Sequence, residues 1–141
     1  MILPDVNVLI YAFRKDSREH VRYRQWLDAV VNGASAYAVS LQVLSSVVRV
    51  STHRAIFAQP SQLDEALAFC RALMERPHCQ LVQPGVRHWS IFADLCHQTQ
   101  ATGNLVQDAW FAGLAIENGC EWITTDRDYS RFPGLRWRAP F

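Results

Sequence analysis

The sequence predicts an α/β fold in which helices flank a central, mostly parallel sheet. Strand-like runs alternate with helix-like runs along the chain, which is typical of a parallel sheet with crossover helices. Half of the 141 residues are apolar and 19% are charged, a composition that favours a folded globular protein over a disordered one. The length suits one domain with a core of its own, so residues 1–141 are expected to form a single unit.

The predicted elements follow one another in a regular order. Short β-prone runs lie at 2–4, 36–39, 80–83, 122–124 and 135–137. Runs with helical spacing lie at 8–13, 41–52 and 63–74, with a long helical stretch after residue 83. Because each strand-like run is followed by a helical one or a polar turn, the strands are expected to be parallel neighbours.

Two further helices are predicted from capping-box patterns at their N-termini. Asp16 with Glu19 is expected to open a helix that Gly33 closes, and Asn104 with Gln107 to open one that runs to Gly119. The second of these is apolar on nearly all sides, so it is expected to lie at the centre of the molecule.

The charged residues exclude few classes of protein. The formal net charge is +1 at pH 7, which favours no class of partner. Basic residues cluster between residues 14 and 24, where they form either a solvated helix or a path for a nucleic-acid backbone. The members of this basic segment are Arg14, Lys15, Arg18, His20, Arg22 and Arg24.

The four cysteines form no C-x-x-C pair, so neither a zinc ribbon nor a disulfide framework is expected. No apolar run approaches the roughly 20 residues of a membrane span, and the first residues lack the basic region of a signal peptide. A cytoplasmic protein is therefore expected.

Three aspartates stand where a parallel sheet gathers its ligands. Asp5 follows the first predicted strand, Asp126 follows a later one, and Asp108 lies early in the apolar helix. Ligands of such sheets bind beyond the carboxyl ends of the strands. Each aspartate also has a local explanation, as a helix cap, a partner of the helix dipole or an Asx-turn. Together, however, three such carboxylates would repel one another unless they shared a cation, and oxygen ligands suit Mg²⁺ or Mn²⁺.

Three motifs in this order resemble those of a known family. Residues 4–9 (PDVNVL) are similar to a D-x-N-x-L opening, residues 107–115 (QDAWFAGLA) to a D-A-x-x-A-x-x-A helix, and residues 124–129 (TTDRDY) to a T-x-D-x-D-F closing motif. The family is that of the PIN-domain nucleases, and within it the toxin ribonucleases of bacterial VapBC-type toxin–antitoxin pairs. The motifs span almost the whole chain.

The resemblance implies a PIN-like fold, a homodimer, an antitoxin protein as partner and hydrolysis of RNA that depends on Mg²⁺ or Mn²⁺. Asp5, Asp108 and Asp126 would then be catalytic metal ligands. The resemblance further implies an accessory catalytic acid, Asp128, and two supporting polar residues, Asn7 and Thr124.

One position departs from the family pattern. The family carries a glutamate early in the helix after the second strand, and that place falls on Ser46, with no Asp or Glu anywhere from residue 29 to residue 63. We therefore expect one firmly held cation, with a second recruited alongside RNA phosphate. Arg49 lies three residues further along the same helix and is either a solvated surface residue or a contact to an RNA phosphate.

Two other functions stay open at this point. The missing acid at Ser46 is compatible with a catalytically weak PIN-like module that binds RNA or protein. A phosphohydrolase acting on small molecules is disfavoured, because the first strand lacks a D-x-D-x-T signature. His88 and Trp89 offer aromatic surfaces for base stacking, but Trp89 is expected to be a core residue.

Overall fold

A single sheet of five parallel strands forms the centre of the molecule, in the order β3-β2-β1-β4-β5. The computed structural model describes all residues, 1–141. The strands are β1 (Ile2–Pro4), β2 (Tyr37–Ser40), β3 (Cys79–Val82), β4 (Glu121–Ile123) and β5 (Trp137–Arg138). The α/β fold with a parallel sheet, predicted from the alternation of elements, is thus confirmed.

Six α-helices and one short 3₁₀ helix surround the sheet. They are α1 (Val6–Phe13), α2 (His20–Asn32), α3 (Leu41–Ser51), α4 (Leu63–Met74), α5 (His88–Thr99), α6 (Asn104–Glu117) and the 3₁₀ helix (Arg127–Arg131). Helix α1 packs against α2 and α3, and α5 packs against α6. None of the helices has the length and apolar character that a membrane crossing requires.

The two central strands place their carboxyl ends side by side. Pro4 at the end of β1 pairs with Ile123 at the end of β4. The pairing continues one step further, because the backbone N–H of Asp5 donates to the carbonyl of Ile123 at 2.9 Å. Residues that follow β1 and β4 therefore start their paths next to each other, which is the condition for one shared site at this edge of the sheet.

Helix α6 is central, as its apolar sequence predicts. Residues 111–115 are all buried, whereas a helix on the surface would bury one stripe only. It joins a continuous core with the side chains of Leu3 in β1 and of Trp122 and Ile123 in β4. Asp108 is thus carried by a helix that the core holds on most of its sides.

Both predicted capping boxes are wrong. Helix α2 begins at His20 after Glu19, whose backbone is left-handed (φ 57°) and whose side chain caps nothing. Asp16 does not cap α2 because its carboxylate accepts two hydrogen bonds from Arg14 instead, at 3.0 and 2.7 Å. An acid with a nearby guanidinium partner is therefore a poor indicator of a helix start.

The second predicted capping box, Asn104 with Gln107, is absent because the residue before Asn104 is already the N-cap of the helix. Gly103 is the N-cap of α6 with φ 58°, a conformation that favours glycine, and no side chain caps the helix. Asn104 is already the first helical residue. The last strand also differs slightly from its predicted place, since β5 covers Trp137 and Arg138 and not residues 135–137.

Candidate metal centre

Three carboxylates meet beyond the ends of the central strands. Asp108, Asp126 and Asp128 each offer one oxygen, and these oxygens lie within 4.8 Å of one another. Asp108 lies in α6, Asp126 is the N-cap of the 3₁₀ helix, and Asp128 is in that helix's first turn. Oxygens so spaced can bind one cation together, because each oxygen ligand stands about 2.0–2.6 Å from Mg²⁺ or Ca²⁺. We call these three residues the acid cluster.

The turn after β4 fixes Asp126 through its backbone and its side chain. Its N–H donates to Thr124 Oγ1 at 3.0 Å, and its Oδ1 accepts the N–H of Asp128 at 2.8 Å. The Asx-turn expected at this position is therefore present. The turn leaves Asp126 able to bind a cation, because its second oxygen, Oδ2, accepts no hydrogen bond from the chain.

Asp5 lies beside the acid cluster and is buried, with 7% of its surface exposed. Its Oδ1 accepts the N–H of Val6 at 2.6 Å, so it caps α1, and its Oδ2 accepts the hydroxyl of Thr124 at 2.6 Å. The pKa of Asp5 is raised to about 6. Burial is the main cause and the charges of Asp108 and Asp126 add to it, whereas the two hydrogen bonds lower the pKa by a smaller amount. Asp5 therefore shares its electrostatic environment with the acid cluster, although the tightest group of oxygens contains Asp128 and not Asp5.

Asp108 is linked to a buried tyrosine. Burial raises the pKa of Asp108, as do the charges of Asp126 and Asp128, while a hydrogen bond from Tyr129 lowers it. That bond joins the Tyr129 hydroxyl to Asp108 Oδ1 at 3.4 Å. The pKa of Tyr129 is raised far above its usual range, first by burial and then by the surrounding carboxylates. The phenol therefore stays neutral and serves as a donor.

No side chain of the protein neutralises these acids. The four salt bridges of the structure join other pairs: Arg14–Asp16, Arg22–Glu19, Arg24–Asp28 and Arg138–Glu121. Several partly buried carboxylates without a cationic partner repel one another. The donor set consists of oxygen atoms alone, which fits a hard divalent cation such as Mg²⁺ or Mn²⁺.

The other residues expected at the site have different surroundings. Asn7 lies in the first turn of α1, and its Oδ1 is buried without a hydrogen-bond partner. Thr124 is fully buried and links Asp5 to Asp126 as described. Ser46 is half-buried on α3 and Arg49 is exposed on the same helix. Neither side chain hydrogen-bonds to an acid of the site.

Arg14 is not part of a free basic surface. Only 7% of it is exposed, and its guanidinium is hydrogen-bonded to Asp16, to Ser61 Oγ at 2.9 Å and to the carbonyl of Gln59 at 2.9 Å. The other basic side chains of the segment from residue 15 to residue 24 are exposed or half-buried. A path for RNA along this segment would therefore exclude Arg14.

The expectation that Trp89 is a core residue is wrong, because 68% of it is exposed. His88 takes the buried place: it is 1% exposed and its Nε2 lies 3.0 Å from the carbonyl oxygen of Trp110. His88 and Phe92, four residues apart in α5, both pack on Trp110 of α6, with ring centroids 4.1 and 5.2 Å from it, whereas the Trp89 centroid lies 6.5 Å away.

Sequence reasoning missed the hydrogen bond between Tyr129 and Asp108. The closing motif included this residue as an aromatic position, and an aromatic ring next to two acids reads as core packing. The only available signal was the hydroxyl itself, since a buried phenol needs a polar partner. The partner, Asp108, lies 21 residues earlier in the chain, and only the fold brings the two together.

Comparisons with known proteins agree with this architecture. The family model of the PIN domain matches residues 2–135. The VapC ribonuclease Mb2897 of Mycobacterium bovis is 39% identical over 140 residues, 99% of this chain and 95% of that protein. The fold is shared with a chain of VapBC2 from Rickettsia felis, a structure solved with a DNA fragment of the promoter bound, with a TM-score of 0.73. The two chains are 17% identical, and the match covers 99% of this chain and 98% of that one.

A chain of a toxin–antitoxin complex from Klebsiella pneumoniae has the same fold, with a TM-score of 0.64 and 19% identity, covering 100% of this chain and 98% of that one. At these identities the two solved structures bear on the fold alone. The family model and the Mycobacterium bovis relative, by contrast, match this chain over nearly its whole length. The chain therefore belongs to the PIN-domain family, among the VapC ribonucleases.

Proposed function

We propose that this protein is an endoribonuclease that hydrolyses RNA phosphodiester bonds with the help of a divalent cation, and that it is the toxin of a toxin–antitoxin pair. The observation that carries the proposal is the acid cluster of Asp108, Asp126 and Asp128, which lies beside buried Asp5 and has no cationic partner in the protein. RNA as the substrate is supported by the full-length similarity to a VapC ribonuclease.

Asp5, Asp108 and Asp126 are the residues that we assign to the cation, with Asp128 as an accessory acid. The cation is Mg²⁺, or Mn²⁺ in its place, since both take carboxylate oxygens. When bound, such an ion polarises the scissile phosphate and lowers the pKa of an attacking water. Because Ser46 stands where the family has a glutamate, we assign one firmly held cation, and a second only together with RNA phosphate.

The protein's own groups hold the carboxylates in place. Thr124 donates to the Asp5 carboxylate and accepts the backbone N–H of Asp126, so a single hydroxyl joins the segments that follow β1 and β4. The N–H of Val6 holds the other oxygen of Asp5. Asn7 Oδ1, in the first turn of α1 that Asp5 caps, is buried without a partner and is therefore available to accept a hydrogen bond. These groups make an oxygen-lined place that needs little rearrangement to accept a cation.

The partners that we assign are an antitoxin protein and a second copy of the chain. Support for the antitoxin comes from the 39% identity with a VapC ribonuclease, and the fold is shared with chains of VapBC2 and of a solved toxin–antitoxin complex. The cytoplasm is the compartment that we assign, because RNA is present there and because the four cysteines are all free thiols.

Incubation of the pure protein with total RNA tests the proposal. We expect cleavage with Mg²⁺ or Mn²⁺ and none with a chelator. Asp126→Asn should lower kcat/KM by at least about 100-fold, because it removes a ligand of the ion. The matched control is Asp28→Asn, which changes an exposed aspartate that pairs with Arg24 on α2 and should leave cleavage unchanged.

Two results would decide against the enzyme. Cleavage that persists in the chelator and in Asp126→Asn alike would exclude a metal-dependent site. RNA binding without cleavage in any metal would favour the second candidate, a catalytically weak PIN-like module that binds RNA or protein. The serine at position 46 is the observation that keeps this candidate open.

Arg49 is the residue that we assign to an RNA phosphate. Its side chain is exposed in the last turn of α3, and it forms no salt bridge. Arg49→Ala should raise KM for RNA by about 3- to 10-fold, as expected for the loss of one phosphate contact. Arg71→Ala, at an exposed arginine of α4, is the control, and equal KM values for the two variants would overturn the assignment.

A further inference from the structure

Tyr129 is the only residue whose side chain hydrogen-bonds to the Asp108 carboxylate. Its hydroxyl lies 3.4 Å from Asp108 Oδ1, and no second protein group holds either oxygen of that carboxylate. The contact crosses between two elements, because Asp108 belongs to α6 and Tyr129 to the 3₁₀ helix. Asp126 and Asp128 belong to the same 3₁₀ segment as Tyr129.

The ring of Tyr129 is held rigidly. The residue is 2% exposed, and its ring centroid lies 5.4 Å from that of Trp122 and 5.9 Å from that of Phe132. Trp122 in turn stacks on Phe111 of α6 at 5.5 Å. An aromatic ring packed on these sides has few alternative rotamers, so the position of the hydroxyl is set by the core and not by the carboxylate.

We propose that Tyr129 is a positioning residue whose hydroxyl fixes the Asp108 carboxylate opposite Asp126 and Asp128 and so prepares the acid cluster for a divalent cation. This inference rests on the proposed function. It assigns to Tyr129 no contact with RNA and no part in proton transfer.

Loss of the Tyr129 hydroxyl would weaken cation binding for an electrostatic and an entropic reason. Asp126 and Asp128 repel the Asp108 carboxylate, and without a donor on its inner side that carboxylate would turn away toward solvent. Binding an ion would then require the carboxylate to be brought back and ordered, which weakens affinity. Groups that orient a metal ligand in this way typically change metal affinity or activity by about 10- to 100-fold when removed.

Tyr129→Phe is the test, because it removes the hydroxyl and keeps the ring. The closing motif that this segment resembles carries phenylalanine at the same place, so the variant should fold. The matched control is Tyr37→Phe, which removes another buried hydroxyl, one that donates to the carbonyl of Leu73 at 2.5 Å. Tyr37 lies in β2 and touches none of the acids.

Mn²⁺ binding is measured by calorimetry without RNA, and thermal unfolding is measured in chelator. Tyr129→Phe should bind Mn²⁺ about 10-fold more weakly than the wild type. In the cleavage assay it should need correspondingly more Mn²⁺ for half-maximal rate, while kcat at saturating Mn²⁺ changes by less than about 3-fold. Tyr37→Phe should lose stability yet bind Mn²⁺ with unchanged affinity.

An unchanged Mn²⁺ affinity in Tyr129→Phe would overturn the inference, as would an equal loss of affinity in Tyr37→Phe. A wild type that binds and cleaves with Mn²⁺ would in either case leave the proposed function intact. A wild type that neither binds Mn²⁺ nor cleaves RNA would remove both.

Discussion

At the scale of single residues, burial of Asp5 disfavours the charged carboxylate that we assign to the cation. Its carboxylate is buried near other acids, which raises its pKa to about 6 from the ordinary value of 3.8. Between these two values the folded chain keeps a proton that the unfolded chain has lost. The contribution of Asp5 to stability is therefore most favourable below pH 3.8 and is lost as the pH rises through 6.

Asp5→Asn is accordingly expected to stabilise the metal-free protein at neutral pH. In chelator at pH 7.5, urea unfolding should show a gain on the order of 1–3 kcal/mol over the wild type, because asparagine fills the same place without the buried charge. The gain should disappear near pH 4, where Asp5 of the wild type is protonated. A variant that is less stable than the wild type at pH 7.5 would contradict this view of Asp5, and Asp28→Asn serves as the control.

The site residues differ in how far the sequence could predict them. Asp5 and Asp126 follow strands, and this position relative to the sheet indicates a site without any knowledge of distances. Whether Asp128 or Asp5 lies in the tightest group of oxygens depends on side-chain directions in one turn, which periodicity does not define. Trp89 was predicted wrongly and the hydroxyl of Tyr129 was overlooked for a related reason. An aromatic residue shows its apolar character in sequence, but not its exposure or the partner of its polar atom.

At the scale of elements, Arg14 connects parts of the chain that the sheet does not join. It ends α1, and its guanidinium bonds to Asp16 and to the segment between α3 and α4 through the carbonyl of Gln59 and Ser61 Oγ. It also stacks on Phe57 with its carbon Cζ 3.7 Å from the ring centre. This connection holds a segment of eleven residues, 52–62, that contains no regular helix or strand.

Arg14→Met should lower the free energy of unfolding by about 2–3 kcal/mol, since several hydrogen bonds of about 1 kcal/mol each lose their donor. Methionine also removes the guanidinium from above the Phe57 ring, so the loss includes this cation–π contact. Denaturant unfolding measures the change. Arg24→Met removes an exposed ion pair with Asp28 and should cost less than about 1 kcal/mol. Equal losses in both variants would show that Arg14 has no special structural role.

The helices and strands were predictable wherever a hydrophobic period was long enough, as in α4 and α6. The first residues of the helices were harder to predict. Capping boxes are read from residue types alone, but Asp16 is committed to Arg14 and Gly103 takes the cap position through its backbone. Both outcomes depend on contacts or dihedral angles that no local pattern contains.

At the scale of the whole molecule, the strand order creates the site. Strand β1 ends at Pro4 and β4 begins at Glu121, 117 positions later in the sequence, yet the two strands are neighbours at the centre of the sheet. The alternation of strands and helices predicted parallel strands, but the order β3-β2-β1-β4-β5 could not be derived from it. That order brings Asp5 beside Thr124 and Asp126, and the central helix α6 adds Asp108.

A cation shared between these elements should stabilise the whole fold. At 100 times its Kd, one bound ion adds roughly 2.7 kcal/mol to the free energy of unfolding. Thermal unfolding with increasing Mn²⁺ should therefore show a rising Tm for the wild type and for Asp28→Asn, and a constant Tm for Asp126→Asn. A Tm that rises equally in all three proteins would locate the binding outside the acid cluster.

Locating the ion itself is the most direct test of a cation site at the acid cluster. Crystals grown with saturating Mn²⁺ and measured at the manganese absorption edge reveal its position by anomalous scattering. We expect one strong anomalous peak about 2.0–2.4 Å from oxygens of Asp108 and Asp126, next to Asp5. An empty acid cluster at saturating Mn²⁺, or a peak only at other side chains, would contradict this expectation.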